Sequence, residues 1–127
     1  MSNFSGIYPM LYAFFDGQGE LDRGAMRAQV KATLAQGVHG IAVGGLATET
    51  NKLSTTERRS LMEWVAEDID GQVPLSVTIA ESNVAGQTAM AKLAADLGAA
   101  WVVLQPPPVR GATEAGLIEF YGAVADG

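Results

Sequence analysis

Two helix-to-strand junctions repeat each other along the chain: Leu34-Ala35-Gln36-Gly37-Val38-His39-Gly40-Ile41-Ala42-Val43 and Ala95-Asp96-Leu97-Gly98-Ala99-Ala100-Trp101-Val102-Val103-Leu104. Each stops an apolar helix at a glycine and enters an uninterrupted apolar strand within a few residues. That is the pattern of βα units laid on a parallel sheet, whose strands are covered on both faces and so lack polar alternation. The chain therefore reads as a serial α/β protein. Its apolar runs predict four strands, over residues 7–15, 40–43, 74–79 and 100–104.

The helices between them carry their own punctuation. Asp22 caps a helix whose apolar positions Met26, Val30 and Leu34 recur every four residues until Gly37 ends it. Ser54-Thr55-Thr56-Glu57 is a capping box, and Leu61, Val65 and Ile69 place one stripe on the helix it opens, which Asp70-Gly71 stops. Pro74 is tolerable as the first residue of a strand. Ser82 or Asn83 caps a helix with Met90, Leu93, Ala94 and Leu97 inward and Gly98 beyond its end. The run Gln105-Pro106-Pro107-Pro108 cannot continue a ladder, because proline lacks the amide hydrogen. Thr113 starts a last helix with Leu117, Phe120, Tyr121 and Val124 inward. With no linker or low-complexity tract, residues 1–127 read as a single domain of four consecutive βα units, half the number that close a TIM (β/α)8 barrel.

Composition narrows the function classes. The hydrophobic fraction of 48% against 17% charged residues suits doubly covered strands and points to buried contacts beyond a monomer. A formal net charge of −6 with only 8 Lys and Arg argues against nucleic acid, whose binding is driven by clustered cations. No apolar run reaches the roughly 20 residues that span a bilayer. The polar start Met1-Ser2-Asn3 is unlike a secretory leader, so the expected location is cytoplasmic and no membrane partner is expected. Without cysteine, and with a single histidine, neither a disulfide framework nor a Cys/His metal site is expected.

In parallel α/β folds the site lies beyond the carboxyl ends of the strands, which leaves the segments 14–19, 44–53, 78–83 and 105–112. The richest is Val43-Gly44-Gly45-Leu46-Ala47-Thr48-Glu49-Thr50. Two glycines allow tight turning, and the amides that follow, around Gly45, Leu46, Ala47 and Thr48, either cradle a carboxylate or phosphate or form a plain connection. Glu49 either caps amides of its own loop or takes part in catalysis. Glu81, with Thr78 just before it, is the carboxylate at the end of the third predicted strand, as a general base or as a charge favouring the next helix N-terminus. Gln105 adds a further polar group at the end of the fourth. Lys52 is the lysine on the same side, but an amine nucleophile needs desolvation and the context Asn51-Lys52-Leu53 reads as exposed. Lys31 and Lys92 fall within helices on the outside. His39, at the amino end of a strand, reads as structural. Trp64 and Trp101 are expected to pack helices against the sheet.

The order Tyr12-Ala13-Phe14-Phe15-Asp16-Gly17-Gln18-Gly19, Gly37-Val38-His39-Gly40, Gly44-Gly45-Leu46-Ala47-Thr48-Glu49, the box Ser54–Glu57, Pro74 and Gln105-Pro106-Pro107 resembles the dihydrodipicolinate synthase and N-acetylneuraminate lyase family over nearly the whole chain. The resemblance implies a (β/α)8 barrel, usually tetrameric. It also implies aldol cleavage, condensation or dehydration of 2-keto acids through a Schiff base on a lysine of the sixth strand. Only the first four units are matched. The hydroxyl pair that grips the keto-acid carboxylate in that family aligns with Leu46 and Ala47, the glycine before its glutamate with Thr48, and its tyrosine pair with Pro107 and Pro108; the glutamate is kept as Glu49. The strand-five tyrosine and strand-six lysine would fall beyond Gly127.

These readings give a truncated member of that lyase family, inactive alone, with no catalytic residue in this stretch and no cofactor. The backbone amides of Leu46 and Ala47 remain able to hold a small 2-keto acid or another carboxylate. The alternative, from a different class, is a non-catalytic carboxylate-binding or assembly module made by pairing half-barrels. Different chemistry at Lys52 or Glu81 is the third. Open strand edges in a parallel sheet make a homo-oligomer the expected state.

Overall fold

The computed structural model describes residues 4–127; the polar start Met1-Ser2-Asn3 lies outside them. Three strands, β1 (Ile41–Val43), β2 (Leu75–Ile79) and β3 (Trp101–Leu104), form a parallel sheet in the order β1-β2-β3. They alternate with α1 (Arg23–Ala35), α2 (Thr55–Ile69), α3 (Val84–Asp96) and α4 (Glu114–Asp126). Register pairs Ile41 with Leu75 and Val43 with Val77, then Val77 with Val102 and Ile79 with Leu104.

The strand expected over residues 7–15 is not regular. It contributes one parallel bridge, Met10 to Ala42, in which the Leu11 amide donates to the Ala42 carbonyl at 2.8 Å and the Ala42 amide donates to the Pro9 carbonyl at 2.9 Å. Two groups stop the ladder: Pro9 has no amide hydrogen to extend it at one end, and at the other the Thr48 hydroxyl stands between the Leu11 carbonyl and the Gly44 amide. Beyond Phe14 the chain doubles back, so that Phe15 bridges Leu21 antiparallel and the Asp16 amide meets the Glu20 carbonyl. Three strands and a bridged segment thus stand where four strands were expected.

Three expected caps form. Asp22 accepts from the Ala25 amide at 2.8 Å. Ser54 and Glu57 make the reciprocal box at 3.2 and 2.7 Å. Asn83, rather than Ser82, caps α3 by accepting from the Gly86 amide at 2.7 Å. The residues of β1 and β2 that share one face (Ile41, Val43, Leu75, Val77, Ile79) are buried with Met26, Val30, Leu61, Val65, Met90 and Ala94 of the helices, and Val102 and Leu104 of β3 continue that face partly covered. The opposite face carries Ala42, Ser76, Thr78, Trp101 and Val103, by the two-residue period of the strand. Val103 there is 48% exposed.

Trp101 does not pack a helix. Its ring meets Phe4 at 4.3 Å and Tyr8 at 4.8 Å between centroids, forming an aromatic cluster at the amino end of this second face. Trp64 sits on the helical layer with the Arg23 guanidinium 5.3 Å over its ring. In α4, Val124 is buried, whereas Leu117, Phe120 and Tyr121 are only partly covered and Ile118 is 66% exposed.

A charged clasp closes α1 on α2. The carboxylate of Asp68, 5% exposed, accepts from Arg23 at 2.5 and 2.8 Å and from Arg27 at 3.0 Å. The Arg23 hydrogen bond holds the Asp68 carboxyl below its ordinary range, against a smaller opposing effect of burial. A lowered folded-state pKa stabilises above the unfolded value of about 3.9 and loses that contribution as pH falls through the folded value. Replacing Asp68→Ala is expected to cost about 2–3 kcal/mol in urea unfolding at neutral pH. The gap to the parent should shrink as pH drops below about 4; a gap independent of pH would show that the clasp carries no charge-dependent stability.

Candidate functional site

The carboxyl ends of β1 and β2 touch at Gly44. Its φ is +86°, and a Cβ built there would lie 2.5 Å from the Thr78 carbonyl oxygen, so glycine is required by conformation and by space. The Gly44 amide donates to Thr48 Oγ1 at 3.0 Å, and that hydroxyl donates to the Leu11 carbonyl at 2.5 Å. Thr48, 1% exposed, therefore staples the loop to the bridged amino-terminal segment. The Gly45 amide points at Met10 Sδ, 3.3 Å away. Past these two anchored residues, Leu46 is 86% exposed, and among the described residues the amides of Leu46 and Ala47 donate to no protein acceptor.

Glu49 takes a left-handed backbone conformation, φ 55° and ψ 45°. It does not cap the amides of its loop. Its carboxylate accepts from Lys52 Nζ at 2.7 Å, across a short 3-10 turn, Thr50–Lys52, with both side chains mostly in solvent. The Glu49 carboxylate raises the Lys52 pKa above its usual value, so the ammonium form is favoured.

The strongest polar arrangement was not visible in the sequence. Arg58, on the first turns of α2, uses all five N–H donors. Nε and Nη2 clasp the Glu81 carboxylate at 2.7 and 2.8 Å, Nη2 also meets Thr55 Oγ1 at 3.1 Å, and Nη1 donates to the carbonyls of Thr50, at 3.2 Å, and Leu53. Thr55 Oγ1 in turn donates to Glu81 at 3.2 Å. The pair is largely buried, at 16% and 8% side-chain exposure. Glu81 is thus committed to an ion pair and does not stand as a free base beside Thr78.

Gln87, fully buried on α3, completes the scaffold. Its Nε2 donates to the carbonyls of Glu81 and Gln105, both at 2.9 Å, tying the β2–α3 loop to the β3–α4 loop. Thr50 Oγ1 and Gln87 Oε1 are buried without a protein partner, and Thr50 lines a small internal cavity behind Gly44 together with Arg58, Thr78 and Glu81. His39 lies away from all of this, at the amino end of β1, where its Nδ1 accepts from the Ile7 amide at 3.0 Å. Among the described residues no cluster of three His, Asp or Glu side chains could hold a metal ion, and no helix is long and apolar enough to cross a membrane.

Removing Glu81 should expose the weight of this hub. Glu81→Ala leaves a buried guanidinium without its counter-charge and is expected to cost about 3–5 kcal/mol. Glu63→Ala, which breaks the exposed Arg59–Glu63 pair on the same helix, should stay within about 0.5 kcal/mol. Equal losses in denaturant titrations would mean that the Arg58–Glu81 pair is no more than a surface contact.

Comparison with known proteins places this geometry. The model of the dihydrodipicolinate synthetase family matches residues 3–127. A 4-hydroxy-tetrahydrodipicolinate synthase of Stenotrophomonas maltophilia (strain R551-3) is 33% identical over 124 residues, which are 98% of this chain and 42% of that protein. An L-2-keto-3-deoxyarabonate dehydratase of Azospirillum brasilense is 32% identical over 125 residues, 95% of this chain and 40% of its own length. Among solved structures, a prophage protein of the dihydrodipicolinic acid synthase family from E. coli K12, in complex with pyruvate, superposes with a TM-score of 0.91 at 26% identity, covering 98% of this chain and 42% of that one. The N-acetylneuraminate lyase of Mycoplasma synoviae superposes with a TM-score of 0.91 at 25% identity, covering 97% of this chain and 43% of that one. The chain spans less than half the length of the relatives it matches.

Proposed function

The chain belongs to the dihydrodipicolinate synthetase family, and we propose that it forms the amino-terminal half of a 2-keto-acid lyase barrel. In this reading the chain supplies the loop that holds the keto-acid carboxylate but forms no Schiff base by itself. The observation that carries the reading is the loop after β1. Gly44 and Gly45 are anchored by Thr48 and Met10, while the next two amides, of Leu46 and Ala47, are left to an outside acceptor. Successive free amides on a tightly held turn suit a carboxylate, and a structural relative with the same fold is described in complex with pyruvate.

The lysines support the second half of the reading. A Schiff-base lysine needs a lowered pKa and a desolvated amine. Lys52, the lysine at the carboxyl end of the sheet, is exposed and its pKa is raised by Glu49. Lys31 and Lys92 are exposed on α1 and α3. Borohydride reduction in the presence of pyruvate, followed by intact-mass measurement, is expected to leave the mass of the chain unchanged. A stoichiometric adduct on Lys52 would overturn this. In the same protein, Leu46→Ser with Ala47→Thr should tighten pyruvate binding by about 1.5–3 kcal/mol through hydroxyl bonds to a charged group. Unchanged affinity by calorimetry would reduce the loop to a connection.

A second reading, an assembly module made by pairing half-barrels, is favoured by the free edge of β3 and the half-exposed Val103 beside it. Unpaired edges and open apolar faces of parallel sheets favour association. Setting the 7–11 segment of one copy beside β3 of the other would close the sheet and bury roughly 2,000 Å² or more, the scale of obligate dimers. Sedimentation equilibrium at micromolar concentration should show a dimer or larger species. A folded monomer with concentration-independent unfolding would remove this reading.

A further inference from the structure

Among the described residues the methionines fall into two groups. Met26, Met62 and Met90 are locked in the core at 0%, 3% and 6% exposure, whereas Met10 is only half-buried. The backbone of Met10 is fixed on both sides by its bridge to Ala42, which holds the Leu11 amide and the Pro9 carbonyl. Its side chain lies directly over Gly45, where a built Cβ would stand 2.4 Å from Met10 Cε and 3.0 Å from Sδ. Gly45 is itself buried, and among the described residues the one acceptor its amide finds is that sulfur, at 3.3 Å.

The pairing is chemically lopsided. Buried amides are almost always satisfied by oxygen, and a thioether is a weak acceptor. Two-electron oxidation to the sulfoxide puts a strong acceptor on the same side chain and leaves the backbone intact. A hydroperoxide, hydrogen peroxide in the simplest case, supplies the oxygen. A sulfur lone pair attacks one peroxide oxygen, the S–O bond forms as the O–O bond breaks, and water leaves; sulfur loses two electrons and the peroxide gains them. The unbranched side chain can then swing to aim the new oxygen at the amide. We propose that Met10 is an oxidation site for hydroperoxides, whose sulfoxide oxygen takes over the hydrogen bond of the Gly45 amide. Gly44 is held by Thr48 and by its close approach to the Thr78 carbonyl, so the change is delivered to Gly45 and the residues after it.

The test treats the chain with hydrogen peroxide in the absence of any keto acid, so its outcome is independent of the carboxylate reading of the same loop. Tandem mass spectra locate each added oxygen, with Met1 counted apart. Met10 should react about ten-fold faster than Met26, Met62 and Met90, which are reached only when the fold opens. In NMR spectra the Gly45 amide proton should move downfield in step with oxygen uptake at Met10, and return when methionine sulfoxide reductase removes that oxygen. In Met10→Leu the same treatment should leave the Gly45 amide in place. Reaction of Met10 no faster than the core methionines would overturn the site. Oxidation of Met10 with the Gly45 amide unmoved or shifted upfield would overturn the transfer of the hydrogen bond, and a downfield shift in Met10→Leu would assign it to another residue.

Discussion

A single guanidinium organises the carboxyl end of this sheet. Arg58 joins the turn after β1, through the carbonyls of Thr50 and Leu53, to the β2–α3 loop, through Glu81, and does so from the start of α2. Loops at this end of a parallel sheet have no ladder of their own and must be held by side chains if they are to present chemistry at fixed positions. Buried and with every donor engaged, Arg58 can only be replaced at the cost of two unmet backbone carbonyls as well as a lone carboxylate. Lysine would not do, because its compact ammonium cannot reach this planar set of acceptors.

The hub leaves the loop after β1 and the neighbouring cleft with different characters. At Gly44–Ala47 the free polar groups are backbone amides, held by a close approach that excludes any side chain at Gly44 and by the Thr48 hydroxyl acting as both donor and acceptor. At the neighbouring cleft the free polar atoms belong to the side chains of Asn51, Ser82 and Gln105, on loops whose backbone is already tied down. The shifted groups, Asp68, Arg23 and Lys52, lie in the α1–α2 clasp or on the exposed rim.

Much of the scaffold could be read from spacing because it is local. The Ser54–Glu57 box and the Asp22 cap involve residues three apart, and the glycines that end the helices announce themselves by type. The strand expected over residues 7–15 is cut short by a partner far along the chain, the Thr48 hydroxyl, and by one missing hydrogen at Pro9. The site was harder still. Glu81 was singled out as a carboxylate at a strand end, but Arg58 lies 23 residues away and looks like any helical surface cation, so the pairing has no signature in sequence. Gln87 falls on the buried side of α3, where a polar residue reads as an interruption of the apolar stripe; only the two carbonyls beneath which it sits explain it. Thr48 was grouped with the amides of the loop, whereas its hydroxyl is the element that fixes them.

The two tryptophans lie on opposite sides of the sheet in unlike surroundings: Trp101 against Phe4 and Tyr8 on the face away from the helices, Trp64 beneath a guanidinium on the helical layer. Indole emission responds to local polarity, so the chain carries a built-in pair of optical probes, one for each side. Whatever comes to rest on the open face, whether a second copy or the rest of a barrel, alters the light from Trp101 and leaves that from Trp64 as an internal standard.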